Sequence, residues 1–341
     1  MKKSISLALT LTLSASLLTA CGDDQAPAPE TEGSDTTAPE KITVMLDWYP
    51  NAVHTFLYEA EANGYFDEAG LDVEILYPAN PTDPLTMAAA GKIDFGFYYQ
   101  EDTIIAKANE DIPVKVAGVV VHEPLETICS LADAGIETAA DLKGKTIGYT
   151  GVQFAETTVA EVLASADLTP DDVEFVNVGF DLMSAMTTGN VDATFGCFIN
   201  HEIPALEEQG FEMNVIRPID NGVPNYYALM LVAGEENIAA RGDAYARFLA
   251  ACKKGFDDMQ ADPAGALELL LANQDADNFP LTESVEQKSF DILLPMMESE
   301  DTEFLSQDAD TWQANIDWLL ETGMIAEAFD PADIMVDLLA E

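Results

Sequence analysis

An α/β fold of two similar lobes facing each other across a cleft is what this sequence predicts, on three observations. From Lys41 onward, short apolar runs alternate with segments of helical spacing, the rhythm of strand–helix units around a sheet. The helix-to-strand turn Gly91-Lys92-Ile93-Asp94-Phe95-Gly96 recurs in outline as Gly189-Asn190-Val191-Asp192-Ala193-Thr194-Phe195-Gly196, one copy in each half. Polar and aromatic residues gather where the runs end, the edge at which open α/β sheets bind ligands. The turn alone would be weak support, because Gly-x-aliphatic-Asp is common, and its period is too long for a solenoid.

Taken in order, residues 42–46 read as a strand, and 54–62 as a helix with Phe56, Leu57 and Ala60 on one face. Gly64 breaks the chain before a strand at 71–77. Thr82-Asp83-Pro84 starts a helix that ends at Gly91, with a capping group followed by proline in the first turn. A strand at 93–97 runs into Tyr98-Tyr99-Gln100, then a helix to about 109 and a strand at 114–121. A second set begins near Cys129: strand 145–149, helix 156–166, strand 173–178, helix 182–188 and strand 191–195, which runs into Cys197-Phe198-Ile199-Asn200-His201-Glu202. A strand at 226–232 precedes helices at 237–260, 264–272, 282–297 and 310–322, the last with Trp312 and Trp318 as packing residues. The expected division puts 41–125 and 226–341 in lobe 1 and 126–225 in lobe 2, with crossings near 122–127 and 221–225.

At 341 residues and 48% apolar composition the chain can bury a proper core. Its 62 acidic and 14 basic residues leave a formal charge of −48. Such a field repels nucleic acid and anionic headgroups, and disfavours an anionic ligand unless local cations offset it. Residues 1–20 read as a signal peptide: Lys2 and Lys3, then an apolar stretch from Ile5 to Leu18 too short for a comfortable span. Leu18-Thr19-Ala20-Cys21 resembles a bacterial lipoprotein box, which makes Cys21 the expected lipidation site, and residues 21–40 read as a disordered tether. Cys129, Cys197 and Cys252 form neither a disulfide framework nor a zinc pattern and read as small buried residues.

The loop Leu46-Asp47-Trp48-Tyr49-Pro50-Asn51-Ala52-Val53-His54 is the leading candidate site. It sets a carboxylate, two aromatics, an amide and an imidazole on a strand-to-helix turn stiffened by proline, which suits a flat, nitrogen-rich ligand. The plainer reading makes Trp48 and Tyr49 core anchors and Asn51 a helix cap. No phosphate loop, dinucleotide fingerprint, zinc helix or nucleophile elbow is present. Cys197 with His201 lacks an activating cation nearby in sequence. Glu202 follows a strand end, where it can accept from an exocyclic amine or simply complement a helix start.

With these residues laid out, the chain resembles the substrate-binding lipoproteins of ABC importers for thiamine pyrimidine precursors, which share a superfamily with the fungal thiamine pyrimidine synthase. The resemblance rests on the 46–54 loop, Gly64-Tyr65-Phe66, Pro78-Ala79-Asn80-Pro81-Thr82-Asp83-Pro84, Ala88-Ala89-Ala90-Gly91, Tyr98-Tyr99-Gln100, Ile199-Asn200-His201-Glu202 and Gly222-Val223-Pro224. It implies a two-lobed, type II-like periplasmic-binding-protein fold, no enzymatic activity, no cofactor or metal, a small aminopyrimidine ligand and an ABC permease partner. It further implies ligand contacts from Asp47, Trp48, Asn51, His54, Tyr98, Tyr99, Asn200, Glu202 and Tyr226. Rival readings are another flat heterocycle such as riboflavin, an alkylsulfonate or nitrate, and a synthase-like enzyme. The fungal enzyme carries a lysine and a histidine where this chain has Tyr98 and Asp102, and a tyrosine cannot form a Schiff base.

Overall fold

The computed structural model describes residues 38–340. The signal peptide, Cys21 and most of the tether lie outside the described residues. The strands are β1 (Glu40–Met45), β2 (Leu71–Leu76), β3 (Phe95–Tyr98), β4 (Val114–Val121), β5 (Glu126–Leu131), β6 (Thr146–Tyr149), β7 (Glu174–Asn177), β8 (Ala193–Phe198), β9 (Met213–Ile216) and β10 (Leu229–Gly234). The helices are α1 (Thr55–Ala62), α2 (Tyr65–Glu68), α3 (Asp83–Ala89), α4 (Gln100–Glu110), α5 (Gln153–Ala164), α6 (Leu182–Thr187), α7 (Glu202–Glu208), α8 (Glu235–Ala261), α9 (Pro263–Asn273), α10 (Glu283–Met297) and α11 (Ala309–Glu321).

Two five-stranded sheets form two lobes, in the orders β2-β1-β3-β10-β4 and β7-β6-β8-β5-β9. The plan is the same in both. Three parallel strands lie on one side, and one antiparallel strand, β10 or β5, separates them from the last. The chain crosses between lobes after β4 through 122–125, and again between β9 and β10 through 217–228. Strands β3, β4 and β10 are nearly continuous apolar runs buried on both faces, as sheets covered by helices require.

The repeated aspartate turn explains two shifted boundaries. The strands expected at 93–97 and 191–195 begin at Phe95 and Ala193. Asp94 first accepts from the Thr43 backbone N–H and hydroxyl at 2.8 and 2.9 Å, and Asp192 from the Thr146 backbone N–H at 2.8 Å. Each carboxylate ties its turn to the neighbouring parallel strand, β1 or β6, before the ladder can start. The strand expected from 226 begins at Leu229, because the Tyr227 N–H is already given to Gln100 Oε1 at 2.7 Å. Strands β5 and β9 were not expected. β5 mixes polar and apolar residues and β9 has four residues, so neither makes a clean apolar run. β1 takes in Glu40, one residue of the expected tether, which pairs with Leu71.

Helices α8, α9 and α10 pack on the first sheet, where Phe248, Phe256, Leu270 and Phe290 join Phe56 and Phe95 in one core. Gly255 lets α8 approach α1 closely: a Cβ there would strike the α1 backbone at Phe56 and Ala60. α11 closes the back of the cleft. Trp312 and Trp318 are buried, Trp318 lies edge-on to Phe154 of α5 at 5.9 Å, and a second core runs unbroken from Ile104 of α4 to Val159 of α5. Among the described residues no helix is long and apolar enough to cross a membrane.

Candidate ligand-binding cleft

Between the lobes lies a cavity of about 60 Å³, and beside it, sharing Trp48 and Phe180 as walls, an outer chamber of about 270 Å³. At roughly 10–15 Å³ per water on this measure, the inner part holds the equivalent of about four to six waters. That is the scale of one substituted six-membered ring.

From lobe 1, the loop after β1 delivers Asp47 and Trp48. The Asn51 backbone N–H faces His54 Nδ1 at 3.4 Å. An amide can only donate, so Nδ1 accepts and Nε2 carries the proton it gives to Asp47 Oδ1 at 2.9 Å. The Tyr99 hydroxyl donates to the other oxygen, Oδ2, at 3.2 Å. Burial, and then the Asp47 charge, push the Tyr99 phenol well above its ordinary range, so it stays a donor. Asp47 is thus fixed on both oxygens and keeps lone pairs for a ligand. Trp48 offers its ring to the cavity and meets Phe180 of the second lobe edge-on at 4.2 Å. Tyr49 stacks on Phe279 at 4.8 Å at the outer rim.

From lobe 2, β8 bends at Gly196, which lines the cavity at φ +107°, a conformation that favours glycine. The strand end then presents Phe198, Asn200, His201 and Glu202. Glu202 Oε2 accepts from the Phe198 backbone N–H at 2.8 Å, and Oε1 lies 2.9 Å from His201 Nδ1. Asn200 donates to Ser289 of α10 at 2.9 Å, and its buried Oδ1 has no partner in the protein. An acceptor left in this state beside a cavity suits a ligand N–H.

The structure brings Asp47, Trp48, Asn51, Tyr99, Asn200 and Glu202 together around the inner cavity. Asn51 is committed to local work: Oδ1 accepts from the Val53 N–H at 3.1 Å and Nδ2 donates to the Tyr49 carbonyl at 3.2 Å. Three expected residues do not line the cavity. His54 is fully buried behind Asp47. Tyr98 is buried beside Tyr99, with ring centroids 5.3 Å apart. Tyr226 gives its hydroxyl to Glu126. His54 and Tyr226 hydrogen-bond residues that do face the cavity, and Tyr98 packs beside one.

Sequence reasoning missed Glu126, Phe180 and His201 as wall residues. Glu126 opens β5 directly after the crossing, and that position was its only signal. Burial pushes its carboxyl up to about 7, with the Tyr226 hydrogen bond opposing and nearby Asp102 adding to the rise. Phe180 sits in the β7–α6 loop, where a lone aromatic gives no pattern. The cavity wall therefore carries the carboxyl groups of Asp47, Glu126 and Glu202, and among the described residues no lysine or arginine. Cys197 is a free, fully buried thiol; a hydrogen bond with the Cys129 thiol, followed by burial, raises it well above its ordinary range, which argues against a nucleophile.

The family described as NMT1/THI5 like matches this chain over residues 51–266. The chain is 42% identical over 299 residues to a protein named formylaminopyrimidine-binding protein from Halalkalibacterium halodurans (strain C-125), covering 86% of this chain and 90% of that one. It is 31% identical over 264 residues to the 4-amino-5-hydroxymethyl-2-methylpyrimidine phosphate synthase of Aspergillus parasiticus, covering 74% and 76%. Among solved structures, the alkanesulfonate-binding protein of Xanthomonas axonopodis pv. citri, bound to MOPS, superposes with a TM-score of 0.68 at 17% identity, covering 88% of this chain and 99% of that one. That likeness establishes the two-lobed periplasmic-binding-protein fold. On the matched span and the identity to its relatives, the chain belongs to the NMT1/THI5-like family.

Proposed function

We propose that this protein is the extracytoplasmic solute-binding component of an ABC importer, held at a membrane through a lipidated Cys21, and that it captures a thiamine pyrimidine precursor of the formylaminopyrimidine or hydroxymethylpyrimidine type. The observation that carries this reading is the composition of the cavity wall: Trp48 and Tyr99 beside the carboxyl groups of Asp47, Glu126 and Glu202, without lysine or arginine among the described residues. Carboxylates accept from an amino group and from protonated ring nitrogens, and an aromatic face takes a flat ring. A sulfonate or nitrate would meet the acidic groups of both lobes, Asp47 and Glu202, with no lysine or arginine among the described residues of the wall to offset them. The inner cavity also matches one ring better than the fused rings of riboflavin. The relative from H. halodurans is named for the same ligand class.

A synthase-like reading is favoured by the fungal relatives. Against it stands the cavity wall: among the described residues no lysine amine faces it to form a Schiff base. A thermal-shift screen with formylaminopyrimidine, hydroxymethylpyrimidine, riboflavin and an alkanesulfonate tests the binding reading. Stabilisation by the pyrimidines alone is expected; stabilisation by the sulfonate and not the pyrimidines overturns it. Metabolic labelling with a palmitate analogue, compared between wild type and Cys21→Ser, tests the anchor. Schiff-base absorbance on mixing with pyridoxal phosphate would count for the enzyme.

A further inference from the structure

His201 stands where the two lobes meet, and both of its ring nitrogens face carboxylates from different lobes. Nδ1 lies 2.9 Å from Glu202 Oε1 at the start of α7, in lobe 2. Nε2 lies 3.6 Å from Glu286 Oε1 on α10, in lobe 1. Glu286 is fully buried. Its Oε2 accepts from the Ala52 N–H at 2.8 Å, which fixes it to the Asp47–His54 loop, while its Oε1 has no hydrogen-bond partner. Next to this pair, Asn200 of lobe 2 donates to Ser289 of α10 at 2.9 Å, and Lys288 of α10 reaches Glu207 of α7 at 3.3 Å. The α10–α7 seam is thus a set of polar contacts that join the two lobes across the cleft.

We propose that His201 is a positioning residue that works as a proton-carrying clamp: as an imidazolium it joins Glu202 to Glu286 across the closed cleft, aims the Glu202 carboxylate at the ligand and ties ligand capture to uptake of one proton. This rests on the reading of Glu202 as a ligand acceptor given above. A neutral imidazole has one N–H and cannot donate to both carboxylates, whereas the imidazolium can. The charged and titratable groups facing His201 are Glu202 from α7, Glu286 from α10 and Tyr49 from the loop after β1, the last with ring centroids 5.7 Å apart. Burial alone would lower the His201 pKa, but Glu202 and then Glu286 outweigh it and hold the group well above its ordinary value. Opening the cleft takes Glu286 away and removes part of that support. The closed state therefore binds its proton more tightly than the open state. Ligand affinity should be greatest at low pH and should fall as the pH rises through the open-state value toward the closed-state value, by at most about tenfold per pH unit for one proton.

The test uses formylaminopyrimidine and calorimetric affinity from pH 5 to 9 for wild type, Glu286→Gln and His201→Gln, with histidine-selective NMR alongside. The chain has three histidines, so His201 can be assigned by its absence in the variant. The pyrimidine's own titration is common to all three proteins, so the difference between wild type and variant isolates the clamp. Expected is a wild-type fall in affinity with rising pH that is flattened in both variants, and a His201 pKa that drops in Glu286→Gln. Equal slopes in wild type and His201→Gln, or a His201 signal unmoved by Glu286→Gln, overturn the clamp. Should Glu286→Gln not fold, the His201→Gln slope decides alone. Should formylaminopyrimidine not bind wild type at all, the ligand reading falls. The clamp is then judged by NMR on the protein alone, where a lower His201 pKa in Glu286→Gln supports it and no change overturns it.

Discussion

Asp47 in the first lobe and Glu202 in the second are both carboxylates delivered to the cavity just beyond a strand end, yet they are held in different ways. Asp47 is gripped inside its own lobe, by His54 on one oxygen and Tyr99 on the other. Glu202 takes one bond from its own strand end, at Phe198, and one from His201, whose far side leans on the other lobe. The sheets behind them share one strand plan. On the proposed reading, the difference teaches that the first lobe would carry a finished half-site, while the second would be completed only against the first. A ligand would dock on the first lobe and be locked by the second.

The largest expected effect is on the finished half. Asp47→Ala leaves the His54 N–H and the Tyr99 hydroxyl without a partner in a buried place, so stability should fall by about 3 kcal/mol as well as affinity. Melting curves and calorimetry read both; unchanged melting would mean that Asp47 is not gripped as described. Trp48→Ala should cost about 2–3 kcal/mol of pyrimidine affinity through lost stacked area. Its melting temperature should stay near wild type, because the ring faces the cleft.

Glu126 sharpens the comparison from the crossing itself. Its folded-state carboxyl value, about 7, lies above the ordinary one. Protonation therefore favours the fold: that stability is fully present below about pH 4 and is lost as the pH rises toward 7. Glu126→Gln should stabilise the protein by about 2 kcal/mol at pH 8 and leave it nearly unchanged at pH 4. Denaturant melts at the two pH values check this, and an equal effect at both would refute it. Glu202→Ala should cost roughly 1–3 kcal/mol of affinity and, because it orphans the Phe198 N–H and the His201 ring, some stability as well. If its binding matches wild type, Glu202 only complements the start of α7. Smallest is Phe180→Ala, expected to raise the ligand off-rate several-fold, about 1 kcal/mol, through loss of the edge contact with Trp48. Stopped-flow dissociation measures it.

Much of this was legible in the chain. The 46–54 loop announced itself because a proline-stiffened turn dense in polar and aromatic groups is unlike ordinary loop composition. The echo around Asp94 and Asp192 proved to be one device used twice, a carboxylate tying a turn to the neighbouring parallel strand. What stayed hidden depends on distance in sequence. Glu286 lies 234 residues from the Ala52 N–H it accepts from, and no local pattern links them. Tyr226 looked like a ligand contact because it is aromatic and near a crossing; its hydroxyl is instead spent on Glu126. Strands β5 and β9 escaped because pairing, of β5 with β8 and β9 and of β9 with β5, makes them strands more than a clean apolar run does.

The edge-on contact of Phe180 with Trp48 also gives the molecule an optical gauge. Of its three tryptophans, Trp312 and Trp318 lie in α11, outside both chambers of the cleft, and only Trp48 faces them. The α11 pair lies outside both chambers, although Trp318 packs edge-on to Phe154 of the second lobe and adds its own response to any movement of that lobe. An opening that parted Phe180 from Trp48 would wet the indole and shift its emission to the red, and a ring stacked on it would quench it. Docking and locking, which occur on different lobes, would thus be read by one chromophore without any attached label.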